Sequence, residues 1–129
     1  MTLFVDSSAL MKRYVPEPGS EVVAHLMRSD PEWSASAICA VETRIGLCRL
    51  ELAEEKEAAL AADWELFDSL PVDDDCLARA AEIGCDHGVR TLDAIHLAAA
   101  ERIPPPLSFL TFDDRQREAA EALGFTLVG

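Results

Sequence analysis

Four carboxylates spaced along the chain, Asp6, Glu42, Asp93 and Asp113, are the residues whose type and context could do chemistry. Asp6 ends the apolar run Leu3-Phe4-Val5, and Asp113 follows the apolar run Leu107 to Phe112. Glu42 and Asp93 fall on segments with helical spacing. Each is a position that an α/β fold brings to one end of a parallel sheet. Acids gathered there repel, and a pair about 5 Å apart costs roughly 3 kcal/mol at an effective dielectric near 20. Such a site requires a cation, and an all-oxygen donor set suits Mg²⁺ or Mn²⁺. The matching chemistry is hydrolysis of a phosphodiester, in which the ion activates a water and stabilises charge on the phosphate, with no covalent intermediate.

Taken singly, each acid has a structural explanation. Asp6 starts the helix after the first strand. Asp93 sits in a first helical turn, where free N–H groups and the dipole favour a carboxylate. Asp113 is placed to cap the helix that follows it. Glu42 lies about 40° around its helix from Ile38, at the edge of the stripe Ile38, Val41, Ile45, Cys48 and Leu52. A Glu there needs a cation or a partner, and Arg13 or Arg49 would serve as well as a metal. The joint placement is what favours a site: Asp6 and Asp113 fall at strand ends, and Asp93 opens a helix on the same rim.

Alternating strands and helices position these acids. A strand over 3–5 feeds a helix over 7–14. Pro16, Pro18 and Gly19 make a turn, and Ser20 caps a helix running to Met27. A short strand over 33–35 precedes the helix bearing Glu42, and an acidic, Ala-rich helix spans 54–66. A strand over 70–72, a helix over 74–85, and a helix over 92–102 capped by Thr91 follow. Pro104 to Pro106 stop the last of these. A strand over 107–111, a helix over 114–123 and a strand over 125–128 close the chain. The alternation implies one α/β domain over 1–129, a parallel β-sheet with helices on both faces in three layers.

Composition narrows the function. The chain has 129 residues, half of them hydrophobic, enough for one domain with a real core. Charged residues interrupt every apolar run, so no membrane span is expected. The N-terminus lacks the pattern of a secretory signal, which places the protein in the cytoplasm. A formal net charge of −13 argues against a simple nucleic-acid-binding module. It argues less against a nuclease, whose divalent ions offset several acids, and it suits a basic partner protein. Cys39 and Cys48, like Cys76 and Cys85, stand about two and a half helical turns apart. Members of each pair then face opposite ways and make no zinc knuckle; reduced, mostly buried thiols are expected. His96 reads as a buried, hydrogen-bonded structural histidine, and the tryptophans as core.

Several segments together carry a family resemblance. Val5-Asp6-Ser7-Ser8-Ala9-Leu10, with Lys12 and then Glu17-Pro18-Gly19-Ser20-Glu21, resembles the opening of PIN-domain ribonucleases of the VapC toxin type. Ser34-Ala35-Ser36-Ala37-Ile38 leading to Val41-Glu42 resembles the family's second acidic position. Thr91-Leu92-Asp93-Ala94-Ile95-His96-Leu97-Ala98 resembles its most recognisable segment. Leu110-Thr111-Phe112-Asp113, with Ala119-Ala120 and Gly124, resembles the closing one. The ordered set spans nearly the whole chain. The resemblance implies that Asp6, Glu42, Asp93 and Asp113 form a Mg²⁺-binding centre, Mn²⁺ being a plausible substitute, with Asp114 an outer-shell alternative at the fourth position. Ser8 is the hydroxyl the family places near its first acid. RNA as substrate, an antitoxin covering the acidic groove and a homodimer are also implied. Lys12, Arg13, Arg44, Arg90 and Arg115 are available to guide an RNA backbone, with none singled out.

Two other readings remain at this stage. Asp6 at a strand end suits an aspartyl-phosphate phosphotransferase, although Ser8 stands where such enzymes carry a second Asp. A catalytically silent regulatory protein that binds a basic partner is the non-enzymatic reading.

Overall fold

The computed structural model describes residues 1–129. The elements run β1 (Thr2–Val5), α1 (Ser7–Tyr14), α2 (Ser20–Ser29), β2 (Glu32–Ser36), α3 (Cys39–Arg49), α4 (Ala53–Trp64), β3 (Phe67–Leu70), α5 (Asp74–His87), α6 (Thr91–Ala100), β4 (Leu107–Leu110), α7 (Asp114–Ala122) and β5 (Thr126–Val128). All strand pairings are parallel, in the order β3-β2-β1-β4-β5. The chain therefore builds outward from β1 to β3, then crosses back to add β4 and β5. The switch in direction lies between β1 and β4, where parallel sheets open a crevice beyond their strand ends.

The central strands are apolar on both faces because helices cover both, as parallel sheets require. Leu3 and Val5 of β1 point into a core shared with Leu10, Tyr14, Val23 and Leu47 from the first helices. Phe4 points the other way and stacks on Phe109 at 5.2 Å, in a core closed by Ile83, Leu97 and Ala120. Within that second core α6 is buried without interruption from Ala94 to Ala100, as an all-round apolar helix must be. On the first face Arg13 and Tyr14 of α1 both bond Asp63 of α4. Arg13 Nε and Nη2 donate at 2.7 and 3.1 Å, and the Tyr14 hydroxyl at 2.7 Å. Burial, then the hydrogen bond to Asp63, pushes the Tyr14 phenol far up.

The fold class is the expected one, and several local expectations need correction. The strand expected over 70–72 is β3 at Phe67–Leu70; Pro71 lacks the N–H that a ladder needs, whereas Phe67 packs on Trp33 and Trp64. The helix before it accordingly ends at Trp64, not Leu66. Gly19 and Arg90, not Ser20 and Thr91, hold the cap positions of α2 and α6. Gly19 takes φ 97°, a conformation only glycine adopts freely, while the Ser20 hydroxyl bonds Val15 and Glu17 of the turn instead. The stripe assigned to α3 is largely its outer face: Val41 and Ile45 are exposed, and Cys39, Thr43 and Leu47 are buried. Each cysteine pair divides between faces, with Cys39 and Cys76 buried and Cys48 and Cys85 exposed. All four are free thiols. No helix is long and apolar enough to cross a membrane.

Candidate active site

Asp6 follows β1 directly and caps α1. Its Oδ1 accepts from the Ala9 amide at 2.9 Å and the Ser8 hydroxyl at 2.7 Å, and its Oδ2 accepts from Thr111 Oγ1 at 2.5 Å. Thr111 lies just beyond β4, which pairs with β1 in register, so the switch point itself brings these groups together. Burial pushes the Asp6 carboxyl above its ordinary range, against hydrogen bonds from Thr111 and Ser8 and the nearby His96. A carboxylate has about four acceptor sites. Three are filled, and the one left is on Oδ2.

Asp113 caps α7, its Oδ1 accepting from the Gln116 amide at 2.9 Å. Its Oδ2 lies 4.0 Å from Arg90 Nη2. Asp93, in the first turn of α6, is half-buried. Burial raises its pKa first, then the charge of Asp113, and Asp6 adds to both; His96 and Arg90 oppose them. Gln116 is fully buried and ties these acids through its own contacts, since its Nε2 donates to the Asp93 main-chain carbonyl at 3.3 Å. That bond leaves the Asp93 carboxylate free. Asp114 is exposed, and the acids whose charges chiefly raise Asp93 are Asp113 and Asp6.

Glu42, in the first turn of α3, is partnered by neither Arg13 nor Arg49. Its Oε1 accepts from His96 Nε2 at 2.5 Å, and His96 Nδ1 meets Ser36 Oγ at 2.8 Å. Arg13 is committed to Asp63 instead. The buried Cys39 thiol is pushed well up by burial, then by the charges of Asp6 and Glu42. An open cavity of about 570 Å³ is lined by Glu42, Val89, Arg90, Thr91, Leu92 and Asp93. A larger hollow of about 690 Å³ lies at Met1, Ile103, Pro106 and Phe125, with Glu101 its one acid, and offers no comparable chemistry.

Asp6 and Asp113 thus follow the carboxyl ends of β1 and β4, Asp93 lies near both, and Glu42 follows β2, but the four do not close on a single point. No three His, Cys, Asp or Glu groups stand in ligating geometry. Asp6 and Asp113 each spend one oxygen as a helix cap, and Glu42 spends one on His96. The donor set nevertheless fits a hard divalent cation: all oxygen, with Asp93 raised by burial and then by two neighbouring carboxylates, which His96 and Arg90 only partly offset. Of the candidate cations, Lys12 is held by Glu17 and the Pro18 carbonyl, and Arg44 by Glu57. Arg90, with a mostly exposed side chain, is the one that reaches the acid rim. Three contributors escaped the sequence reading: Thr111 and Gln116 as supports of the acids, and the contact of His96 with Glu42. The Thr-x-Asp spacing signals the first; the others join residues far apart in sequence.

The PIN domain model matches residues 3–122. Ribonuclease VapC46 of Mycobacterium tuberculosis is 35% identical over 127 residues, covering 98% of this chain and 95% of that protein. The fold matches a crystal structure of Mycobacterium tuberculosis VapC20, a Sarcin-Ricin loop cleaving toxin, with TM-score 0.77 and 22% identity over 96% of each chain. It also matches a toxin-antitoxin complex from Klebsiella pneumoniae, with TM-score 0.73 and 18% identity over 100% of this chain and 97% of that one. With the acids on the rim where parallel sheets bind ligands, the chain belongs to the PIN-domain family, among the VapC ribonucleases.

Proposed function

We propose that this chain is the toxin of a toxin–antitoxin pair, a Mg²⁺-dependent endoribonuclease of the cytoplasm that hydrolyses RNA at Asp6, Glu42, Asp93 and Asp113. The observation that carries the reading is the gathering of acids at the β1/β4 switch, where Asp6 and Asp113 follow the paired strands and Asp93 is raised by burial, then by the charges of Asp113 and Asp6. Like charges are held together at a cost, as functional sites are. Asp93 and the free site on Asp6 Oδ2 would hold the ion most directly, with Glu42 and Asp113 completing the donor set; Asp113 is preferred to Asp114 because its charge reaches Asp93. A divalent ion bound there supplies Lewis-acid polarisation of the phosphate and a lowered pKa for water.

The chain's own side chains do the rest. Ser8 and Thr111 fix the Asp6 carboxylate in one orientation. Gln116 fixes the start of α7 and the Asp93 backbone relative to each other. Arg90, at the mouth of the cavity, is placed to meet an RNA phosphate. The formal net charge of −13 suits a basic antitoxin segment as the inhibitor of the acidic cleft. A second copy of the chain is the other expected partner, with Val41 and Ile45 of α3 offering exposed apolar surface.

Cleavage of a labelled total-RNA pool by antitoxin-free protein tests this. Discrete products are expected with Mg²⁺ or Mn²⁺, lost on chelation and suppressed by the antitoxin. An intact pool after incubation with folded, metal-loaded protein would reject the nuclease reading in favour of a partner-binding role.

A further inference from the structure

The buried His96 has no part in the family resemblance beyond its place in a motif, yet its surroundings are specific. It is 1% exposed, on a helix whose neighbouring residues are all apolar core. Both ring nitrogens are engaged: Nδ1 with Ser36 Oγ at 2.8 Å, at the end of β2, and Nε2 with Glu42 Oε1 at 2.5 Å, at the start of α3. A carboxylate only accepts, so Nε2 donates to Glu42, while Nδ1 meets the Ser36 hydroxyl. The ring is clamped between two elements, with no rotational freedom that keeps both contacts.

Glu42 has no other anchor of this kind. Its side chain is 21% exposed, on a helix whose outward neighbours, Val41 and Ile45, are free of the core. A long side chain there samples many rotamers, and ordering it costs up to about 2 kcal/mol. His96 removes that freedom before any ligand arrives. By taking Oε1 it also leaves Oε2 without a hydrogen-bond partner.

We propose that His96 is a positioning residue: locked by Ser36, it holds Glu42 in the one orientation that offers Oε2 to the cation site. The inference rests on the metal-dependent reading and predicts metal affinity separately from activity. Outer ligands of this type are worth about 10–100-fold in metal affinity when lost.

Mn²⁺ titration calorimetry of the antitoxin-free protein tests it. His96→Asn keeps a polar atom for Ser36 but has none at the Nε2 position, whereas His96→Gln replaces the Nε2 donor. His96→Asn is expected to weaken Mn²⁺ binding about 10–100-fold, and His96→Gln to restore most of it. In a Glu42→Ala background, His96→Asn is expected to change Mn²⁺ affinity no further, because its effect passes through Glu42. Should His96→Asn not fold, Ser36→Ala unlocks the same ring from its other nitrogen and is expected to weaken Mn²⁺ binding in the same direction. Parental affinity in His96→Asn, or an equal loss with Glu42 absent, would overturn the inference and leave His96 a core residue. A parent protein that takes up no Mn²⁺ overturns the metal reading itself, and is seen before any variant is compared.

Discussion

Asp6→Asn is expected to reduce RNA cleavage by about 10³-fold or more while leaving the metal-free protein at least as stable as the parent. The two halves have one cause. Asp6 is 2% exposed, and burial raises its pKa, so the fold holds a carboxylate where a neutral group would sit more easily. Asn keeps the oxygen that caps α1 through the Ala9 amide. Its new N–H₂ faces Thr111 Oγ1, which can turn its own proton toward Gln116 Oε1, 3.4 Å away. The structural role of Asp6 therefore survives the change and the charge does not. A gain of about 0.5–2 kcal/mol is the usual size when a strained functional group is neutralised. Thermal melts in chelator, beside cleavage rates in Mg²⁺, check both halves. A variant that loses activity only because it unfolds would show that Asp6 is a helix cap and nothing more.

The second large effect is stabilisation by metal, and its dependence on pH has a definite sign. In the metal-free protein Asp6 and Asp93 both have folded pKa values raised above the ordinary 3.8. The native state then binds more protons than the unfolded chain between the ordinary value and the raised one. Stability contributed by these groups falls as pH rises through that window, and the loss is complete above the raised values. Asp73 runs the other way: Arg102 and the Cys76 amide hold its carboxyl below the ordinary range. It adds stability that is present above the ordinary value and lost as pH falls through the lowered one. Asp6 and Asp93 must be ionised to take a metal, so its binding competes with their protonation.

Mn²⁺ at 100 times its Kd is expected to stabilise the protein by about 2.7 kcal/mol, a rise in midpoint of roughly 10 °C for a domain of this size. The rise should grow as pH increases through the range of the two carboxyls and level off above it. Asp93→Asn should remove most of it. A midpoint shift that Mn²⁺ produces equally in Asp93→Asn would place the bound ion elsewhere on this acidic surface.

Much of this was open to reading in the sequence, for reasons specific to each part. Asp6 and Asp113 each end an apolar run, and an apolar run in an alternating chain is a strand with its functional end at the carboxyl terminus. The β3 position was missed because Leu70-Pro71-Val72 looks more like a strand than Phe67-Asp68-Ser69-Leu70 does. The ladder registers Asp68 and Ser69 opposite Ser34 and Ala35 of β2, a pairing that no local pattern discloses. The face of α3 was misassigned because its larger apolar residues, Val41 and Ile45, are the exposed ones, so apolar periodicity points to the wrong side. Its inner side carries Cys39, Thr43 and Leu47, while Val41 and Ile45 stay outside. Arg13 and Arg49 stand in for the true partner of Glu42 in the sequence because His96 is 54 residues away on another helix, brought close only by the packing of α6 beneath β2. Long-range partners such as Thr111 to Asp6 and His96 to Glu42 complete the supports of the acids, and spacing along one segment contains no record of them.

The central claim is that the acid rim directs water, through a divalent ion, onto an RNA phosphate. The most direct measurement is the chemistry of the cut ends on an RNA the protein cleaves, with Mg²⁺ and again in chelator. Attack by an activated water leaves a 5′-phosphate and a 3′-hydroxyl, and no cleavage in chelator; that is the result expected here. A 2′,3′-cyclic phosphate formed at the same rate in chelator would mean that the RNA's own 2′-hydroxyl is the nucleophile, and would contradict the assignment of Asp6, Glu42, Asp93 and Asp113 as a metal centre.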